Sequence, residues 1–317
     1  MSSHAETGEA VVPGRSEWSV DEPRRLDFDE DVHTLRVRVL NGTVNVVGTG
    51  DPATRLEVGA LDGPPLRVAL EGGILTVAYD DLPWQGFLTL LDRGSRRHRA
   101  DVSLAVPAGI RVEVGVVGAD AVITGVEGGT EVRAITGCVT LVGLAGPVRA
   151  DTVSGAVETQ GVTGGLRFNS VSGDLTVLDG GDAPVRADSV GGDMVVDLGP
   201  VRRERPADIR LNSVSGQIAV RLPHPADTVV EAGTAGGTVS CAFEELRVSG
   251  QWGAKRITGT LGAGAGRLRA TTVSGSIALL RRPAGDDGES APPGGSGVPA
   301  RPRGTGPADQ DSLRKDV

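Results

Sequence analysis

The chain has 317 residues, of which 48 are glycine and only 3% are aromatic, and its formal net charge is -9. This acidity argues against nucleic acid as the main partner, because phosphate binding needs a basic surface. The scarcity of aromatic residues argues against a core of large side chains and favours stacked β-strands, which need glycine at corners and small or β-branched residues inside.

The N-terminal residues 1–25 are polar, and we interpret them as a disordered leader. They lack the basic and apolar regions of a secretory signal, and no window of the chain reaches the 18 apolar residues of a membrane-spanning helix. We therefore expect a cytoplasmic protein. Cys138 and Cys241 lie far apart, without metal-ligand spacing, and are expected to be reduced and unpaired.

Residues 26–110 are predicted to form an N-terminal β cap. Leu35, Val37 and Val39 alternate with polar residues, and Asn41-Gly42 follows, a pair that predicts a hairpin turn. Further strand-like runs occupy 55–58, 66–70, 74–79, 101–106 and 110–117.

Residues 111–282 are predicted to form a β-repeat stack, because one short phrase recurs there. The phrase reads V-R-A-D-T-V-S-G-A-V, L-R-F-N-S-V-S-G-D-L, V-R-A-D-S-V-G-G-D-M, I-R-L-N-S-V-S-G-Q-I and L-R-A-T-T-V-S-G-S-I, starting at 148, 166, 185, 209 and 268. The turn glycines are Gly118, Gly137, Gly155, Gly173, Gly192, Gly216, Gly237 and Gly275. The tail, residues 283–317, is rich in Pro, Gly, Ser and Asp and is predicted to be disordered.

The phase within one repeat can also be predicted. Val148 and Ala150 share a face, whereas Val157 shares a face with Thr159, and the two apolar sets have opposite parity. Since strand alternation has period two, the Ser/Thr-Val-Ser-Gly segment between them must be a corner, where glycine supplies backbone freedom and hydroxyl groups cap the backbone. We expect the corner valines of this segment, such as Val171 and Val214, to be buried.

The S-V-S-G-D-L, S-V-S-G-Q-I and T-V-S-G-S-I phrases, together with V-S-L-A-V-P-A-G-I-R-V-E-V at 102–114, resemble the putative-adhesin family of bacterial β-repeat proteins, also called toastrack-type domains. The resemblance covers residues 30–282. It implies a stack of short β-strands and a role linked to cell-envelope stress or surface attachment, and it implies no catalytic residues.

Five arginines occupy the same place in the five phrases. They form a candidate surface ladder: Arg149, Arg167, Arg186, Arg210 and Arg269. One interpretation is a surface for an anionic polymer or an acidic partner. The other is a solvated face on which each Arg pairs with a neighbouring Asp, which discourages slippage between strand edges.

Residues 81–99 interrupt the repeat pattern with an apolar run followed by a basic run. The candidate interaction residues there are Trp84, Phe87, Leu88, Leu91, Arg96, Arg97 and Arg99. Such a segment could dock a protein partner or lie on an anionic membrane surface. The alternative is a loop or short helix that packs over the stack.

No nucleophile elbow, zinc-protease motif or phosphate-binding loop is present, so we predict no catalytic, cofactor-binding or metal-binding residues. The leading hypothesis is a non-catalytic scaffold or interaction module, linked to cell-envelope homeostasis through a protein partner. The alternatives are an adhesin-like surface or polysaccharide-binding protein and, third, an enzyme acting on polysaccharide, since fold alone does not fix function. The sequence leaves the oligomeric state open.

Overall fold

The computed structural model describes residues 15–79, 98–180, 183–199, 206 and 208–282. These residues form 26 β-strands and no helix, and they belong to one compact unit, Met1–Ala284. The predicted all-β stack is therefore confirmed. Within the same ranges, no helix has the length and apolar character to cross a membrane.

The strands form two long sheets. Sheet A contains β1 (Arg15–Val20), β3 (Thr34–Val39), β6 (Leu66–Glu71), β7 (Ile74–Ala78), β9 (Arg111–Val116), β11 (Thr130–Ala134), β13 (Val148–Thr152), β15 (Leu166–Ser170), β17 (Val185–Ser189), β19 (Asp208–Ser213), β21 (Thr228–Thr234), β23 (Arg247–Gln251), β24 (Ala254–Leu261) and β25 (Gly266–Thr272). Sheet B contains β2 (Arg24–Phe28), β4 (Asn41–Thr49), β5 (Thr54–Asp62), β8 (Arg99–Pro107), β10 (Asp120–Thr124), β12 (Val139–Val142), β14 (Val157–Gln160), β16 (Leu175–Gly180), β18 (Met194–Leu198), β20 (Ile218–Leu222), β22 (Val239–Cys241) and β26 (Ile277–Arg281).

Each repeat gives one strand to each sheet, and equivalent strands of successive repeats pair in parallel. The strands alternate between buried and exposed side chains, and the buried side chains of both sheets make one hydrophobic core, mostly of Val, Leu and Ala. Phe168 is the largest fully buried side chain. The core therefore uses the small and branched residues that the composition predicts.

The predicted corner lies between β13 and β14 and recurs in the later repeats. Thr152 and Val157 are both buried although their parities differ, so the predicted slip of frame is confirmed. The first hydroxyl of each phrase accepts a hydrogen bond from the N–H of the corner glycine three residues later. The pairs are Thr152–Gly155 (2.9 Å), Ser170–Gly173 (2.6 Å), Ser189–Gly192 (3.1 Å), Ser213–Gly216 (2.9 Å) and Thr272–Gly275 (3.1 Å).

The corner glycines stack on one another, and this contact explains why they are glycine. A Cβ on Gly173 would lie 2.2 Å from the Gly155 carbonyl oxygen, and one on Gly192 would lie 1.9 Å from the Gly173 oxygen. None of these three glycines has a positive φ. The expectation that they supply backbone freedom was therefore wrong here: they are required by the close approach of two backbones.

The corner valines are not buried, contrary to our expectation. Val171 is 54% exposed and Val214 is 46% exposed. The inward positions at the corner belong instead to Ser213 and the stacked glycine Gly216. A valine between those two points outward because the chain turns there and strand alternation no longer sets side-chain direction.

The Asn41-Gly42 hairpin is also wrong. β3 lies in sheet A and β4 lies in sheet B, so the pair forms a corner between the sheets, and a Cβ on Gly42 would lie 2.1 Å from the Ala100 carbonyl oxygen. The antiparallel hairpin of this region joins β6 to β7 through Gly72 and Gly73, both with positive φ.

The ends of the stack differ from the sequence-based expectation too. Residues 15–25, part of the predicted disordered leader, contain β1 and the start of β2. Trp18 packs edge-on against Phe28 with ring centroids 5.3 Å apart. At the other end, β25 lies between β19 and β21, so the last phrase in the sequence is not the last rung in space. The strands of 26–110 and 111–282 share both sheets. The predicted tail, 283–317, lies outside the described residues.

Candidate functional site

The arginine row consists of the five arginines of the recurring phrase, and it lies on the solvent-facing side of sheet A. In the pairing register, Arg149 is opposite Arg167, Arg186 follows, and Arg210 and Arg269 complete the row. Neighbouring strands of a sheet lie about 4.8 Å apart. Equivalent guanidinium groups therefore repeat at about one strand spacing.

The two ends of the row are neutralised by carboxylates. Arg149 donates from Nε to Asp151 at 2.7 Å, and Arg269 donates from Nη2 to Glu231 at 2.6 Å. The Asp151 carboxylate holds the pKa of Arg149 above its usual value through this hydrogen bond and its charge. The Arg269 hydrogen bond likewise lowers the pKa of Glu231.

The three middle arginines have no such partner. Arg167, Arg186 and Arg210 make no ion pair or side-chain hydrogen bond with any residue that the structure describes. The carboxylate nearest in the pattern, Asp188, instead accepts a hydrogen bond from Asn212 Nδ2 at 2.8 Å. The interpretation in which every arginine of the row pairs with a neighbouring Asp therefore fails at these three positions.

A shallow concavity of about 390 Å³ lies over the middle of the row. Its walls are Arg149, Arg167, Asn169, Arg186, Asp188 and Arg210. A second groove, of about 490 Å³, lies beside it, at the N-terminal ends of the same strands, and is lined in part by Pro147, Gly164, Gly165 and Pro184. Planar guanidinium groups in such a trough can bind carboxylate, sulfate or phosphate groups in two-pronged geometry.

On the N-terminal side, the same row of positions continues as an Arg–Glu ion-pair network that sequence reasoning missed. Glu113 and Glu131 are opposite each other in register. Glu113 accepts hydrogen bonds from Arg111 Nε (2.8 Å) and Arg36 Nε (3.1 Å), and Glu131 accepts them from Arg133 (2.7 Å) and Arg111 (3.3 Å). Only the register of β3, β9 and β11 reveals this network.

The Glu113 carboxyl group is nearly buried, and burial raises its pKa. The hydrogen bond from Arg111 and the charge and hydrogen bond of Arg36 outweigh burial, so the pKa of Glu113 lies below its usual value. Such a group stays ionised at neutral pH. It therefore cannot serve as the proton donor that glycoside hydrolysis needs.

The other candidate site can be described only in part. Trp84, Phe87, Leu88, Leu91, Arg96 and Arg97 lie outside the described residues. Arg99 begins β8, is exposed, and lies 3.7 Å from Asp101. The interaction role of this segment stays a prediction.

In the described ranges, the cysteines and acidic residues indicate no disulfide and no metal-binding site. Cys138 is exposed, Cys241 is partly buried, and both are free. No group of three or more His, Cys, Asp or Glu side chains is placed to hold a metal ion among the residues with described positions.

No family model matches the chain, and no curated protein matches it. Among solved structures, the chain is similar to a putative adhesin from Bacteroides fragilis, with 13% identity, a TM-score of 0.45, and coverage of 82% of this chain and 98% of that one. It is also similar to a putative lipid binding protein from Parabacteroides distasonis (14% identity, TM-score 0.40, 83% and 98% covered) and a putative cell adhesion protein from Clostridium sporogenes (10%, 0.27, 82% and 100%).

Proposed function

We propose that this chain is a non-catalytic binding module that holds an acidic polymer along the arginine row. The observation that carries the proposal is the run of Arg167, Arg186 and Arg210, which are consecutive in register and have no carboxylate partner among the described residues. A negatively charged ligand supplies the counter-charge that the fold omits at these positions.

Leaving these three arginines without carboxylate partners costs free energy, and this cost supports a role for them in binding. Like charges directly opposite each other in a sheet are destabilising. At a spacing of about 4.8 Å, two unit charges in water repel by about 1 kcal/mol. The fold avoids this repulsion at Arg149 and Arg269 by placing a carboxylate beside each one. An anion bound over the middle of the row removes the same repulsion there.

The ligand is proposed to be a polymer because the cations repeat. A single small anion can bridge two adjacent guanidinium groups, but a chain with one negative group for each repeating unit can contact all three. An extended acidic polysaccharide has a repeating unit of nearly the length of one strand spacing. Under this proposal the chain is adhesin-like. The polysaccharide-binding hypothesis is therefore preferred to the hypothesis of a general scaffold.

An enzyme acting on polysaccharide is less well supported by the same face. Glu113 and Glu131 are neighbouring carboxylates on successive rungs, but both are held by arginines, and the lowered pKa of Glu113 removes it as an acid. The proposed ligand is therefore bound and not cleaved. A link to the cell envelope remains part of the proposal, as does a protein partner at 81–99. The cytoplasmic location expected from the sequence belongs to the scaffold hypothesis and not to this one.

The test is binding of fluorescently labelled polygalacturonate, measured by anisotropy, with neutral dextran for comparison. We expect the chain to bind polygalacturonate and not dextran. Arg186→Ser should weaken binding about tenfold, because a charge-assisted hydrogen bond contributes about 1.5–3 kcal/mol. Arg24→Ser is the matched control, since Arg24 is exposed on sheet B and makes no ion pair among the described residues. Equal losses in the two variants would contradict the proposal.

A further inference from the structure

The connection between β23 and β24 contains the most exposed tryptophan in the described part of the chain. The two strands pair in antiparallel fashion from Arg247–Thr258 to Gln251–Ala254, so the turn residues are Trp252 and Gly253. Both have positive φ, at 54° and 89°. This two-residue turn strongly favours Asn-Gly, and a bulky residue with positive φ is a rare outlier. The Trp252 side chain is also 101% exposed.

Trp252 therefore has an unfavourable backbone conformation and buries no apolar surface against the described residues. Residues held in sparsely populated backbone conformations concentrate at functional sites, where the strain serves binding or catalysis. A contiguous patch of exposed apolar surface likewise marks a functional site, at which a protein, a membrane or a ligand binds. The exposed side chain of Val273 lies near the turn. The Ala235 N–H donates to the Val273 carbonyl oxygen, and a Cβ on Gly253 would lie 3.7 Å from the Ala235 carbonyl oxygen.

The charge around this hairpin contrasts with that of the whole chain. Residues 246–282 contain no Asp or Glu, in a chain whose net charge is -9. The basic residues of this stretch are Arg247, Lys255, Arg256, Arg267, Arg269, Arg281 and Arg282. Arg247 and Lys255 form no ion pair with any residue in the described ranges. The two strands of the hairpin therefore carry only basic charges, while the nearby carboxylates are Glu244 and Glu245, which precede β23, and Glu231 on the adjacent strand β21. A tryptophan stands at the tip of the hairpin.

We propose that the hairpin tip, residues 247–256, docks onto an anionic lipid surface. Tryptophan favours the interface between water and hydrocarbon, where its ring is buried among headgroups. Lys255 lies one residue beyond the Gln251–Ala254 pair that flanks the turn, which places it about 7 Å from the tip along the hairpin. This distance falls within the depth of about 5–10 Å at which interfacial segments bury their apolar residues. In this arrangement Trp252 enters the headgroup region, and Lys255 and Arg256, which are consecutive on β24 and point to opposite faces of the hairpin, contact lipid phosphates on either side of it.

Two alternatives are less consistent with the exposure of the ring. A sugar platform needs polar side chains beside the ring to bind hydroxyl groups, and a ring that is fully exposed has no side chain packed against it. A pocket on a protein partner could accept Trp252, but it would not require an acid-free segment of 37 residues around the hairpin. The local charge therefore favours the anionic lipid surface.

The test uses the full chain with vesicles of phosphatidylcholine alone or with phosphatidylglycerol, by co-flotation. We expect binding to the mixed vesicles only. Trp252→Ser should reduce it at least tenfold, and Lys255→Gln by about fivefold, since each cation near such a surface contributes about 1 kcal/mol. Arg24→Gln, which removes one charge from an exposed site on sheet B, should leave binding unchanged. Circular dichroism checks that every variant keeps its β signal.

A fluorescence readout separates insertion from simple charge attraction. In the variant Trp18→Phe/Trp84→Phe, Trp252 is the only tryptophan, and its emission should shift to shorter wavelength on the mixed vesicles. An unshifted emission, or equal binding by the native chain and Trp252→Ser, would overturn the proposal. So would a Trp252→Ser variant that loses only polygalacturonate binding, which would indicate a sugar platform. If vesicle binding depends on Arg186 and not on Trp252, the hairpin proposal fails while the arginine row stands.

Discussion

Gly216 lies directly against the carbonyl group of Gly192, and a Cβ at Gly216 would stand 1.9 Å from that oxygen. Real Cβ atoms do not approach backbone oxygens so closely, so this contact fixes the spacing of two rungs at the corner. The same contact recurs along the stack from Gly155 to Gly173, Gly192, Gly216, Gly275 and Gly237. The corner is therefore a column of glycines that lets the backbone of each rung touch the next.

Gly216→Ala should accordingly destabilise the fold strongly. Overpacking typically costs about 1–3 kcal/mol, and here the obstruction is backbone that cannot move without separating the rungs, so we expect the upper end of that range. Urea unfolding at pH 7 measures the effect. Gly109→Ala is the matched control, because a Cβ there has nothing within 4 Å and its φ is not positive. A loss in the control as large as that at Gly216 would contradict this account of the corner.

The corner valines lead to the opposite expectation. Val171→Asp should change stability by no more than about 0.5 kcal/mol, because Val171 is half exposed and the new carboxylate remains hydrated. Val177→Asp, six residues later on β16, places the same charge in the core, and we expect it to unfold the chain or lower its stability by more than about 4 kcal/mol. Thermal unfolding of the two variants compares them directly. Strong destabilisation by Val171→Asp would show that the corner is packed more tightly than described.

Much of the fold could be predicted from the sequence because the alternation of apolar and polar residues along a strand is a local signal. The strand faces of Val148 and Ala150 followed from period two, and the opposite parity of Val157 revealed the corner. The side-chain direction of Val171 could not be predicted, because alternation does not apply to residues within a turn. The position of β25 between β19 and β21 also escaped prediction, since the pairing of distant parallel strands leaves no local signal.

The candidate sites were predictable to different degrees. Equal phase in five phrases predicted that Arg186 and Arg210 would be neighbours in a row. It could not predict which arginines lack a carboxylate, because that depends on whether Asp188 turns toward Asn212 or toward an arginine. Trp252 was missed because Gln-Trp-Gly-Ala lacks the Asn-Gly pair that identifies such turns.

The buried carboxylate of Glu113 should make stability depend on pH. Its pKa in the folded chain lies below its usual value, so its contribution is complete above the unfolded pKa of about 4.3 and is lost as pH falls through the lower folded pKa. Glu113→Gln should lower stability by about 1–3 kcal/mol at pH 7, and the difference from the native chain should shrink toward pH 3.

Urea unfolding across pH 3–7 measures this difference, with Glu57→Gln on an exposed position of β5 as the control. If the loss of stability caused by Glu113→Gln is the same at every pH from 3 to 7, the carboxylate contributes to stability through its shape and not through its charge.

Arg167, Arg186 and Arg210 are proposed to hold an acidic polymer together, and the salt dependence of polygalacturonate binding counts the cations that contact the polymer. Each cation that contacts a charged group of a single-stranded polyanion contributes about 0.7 unit to the slope of log affinity against log salt. We predict that the triple variant Arg167→Ser/Arg186→Ser/Arg210→Ser loses about two units of that slope, whereas Arg24→Ser loses none. A triple variant with the native slope would contradict the claim, because the polymer would then be bound elsewhere.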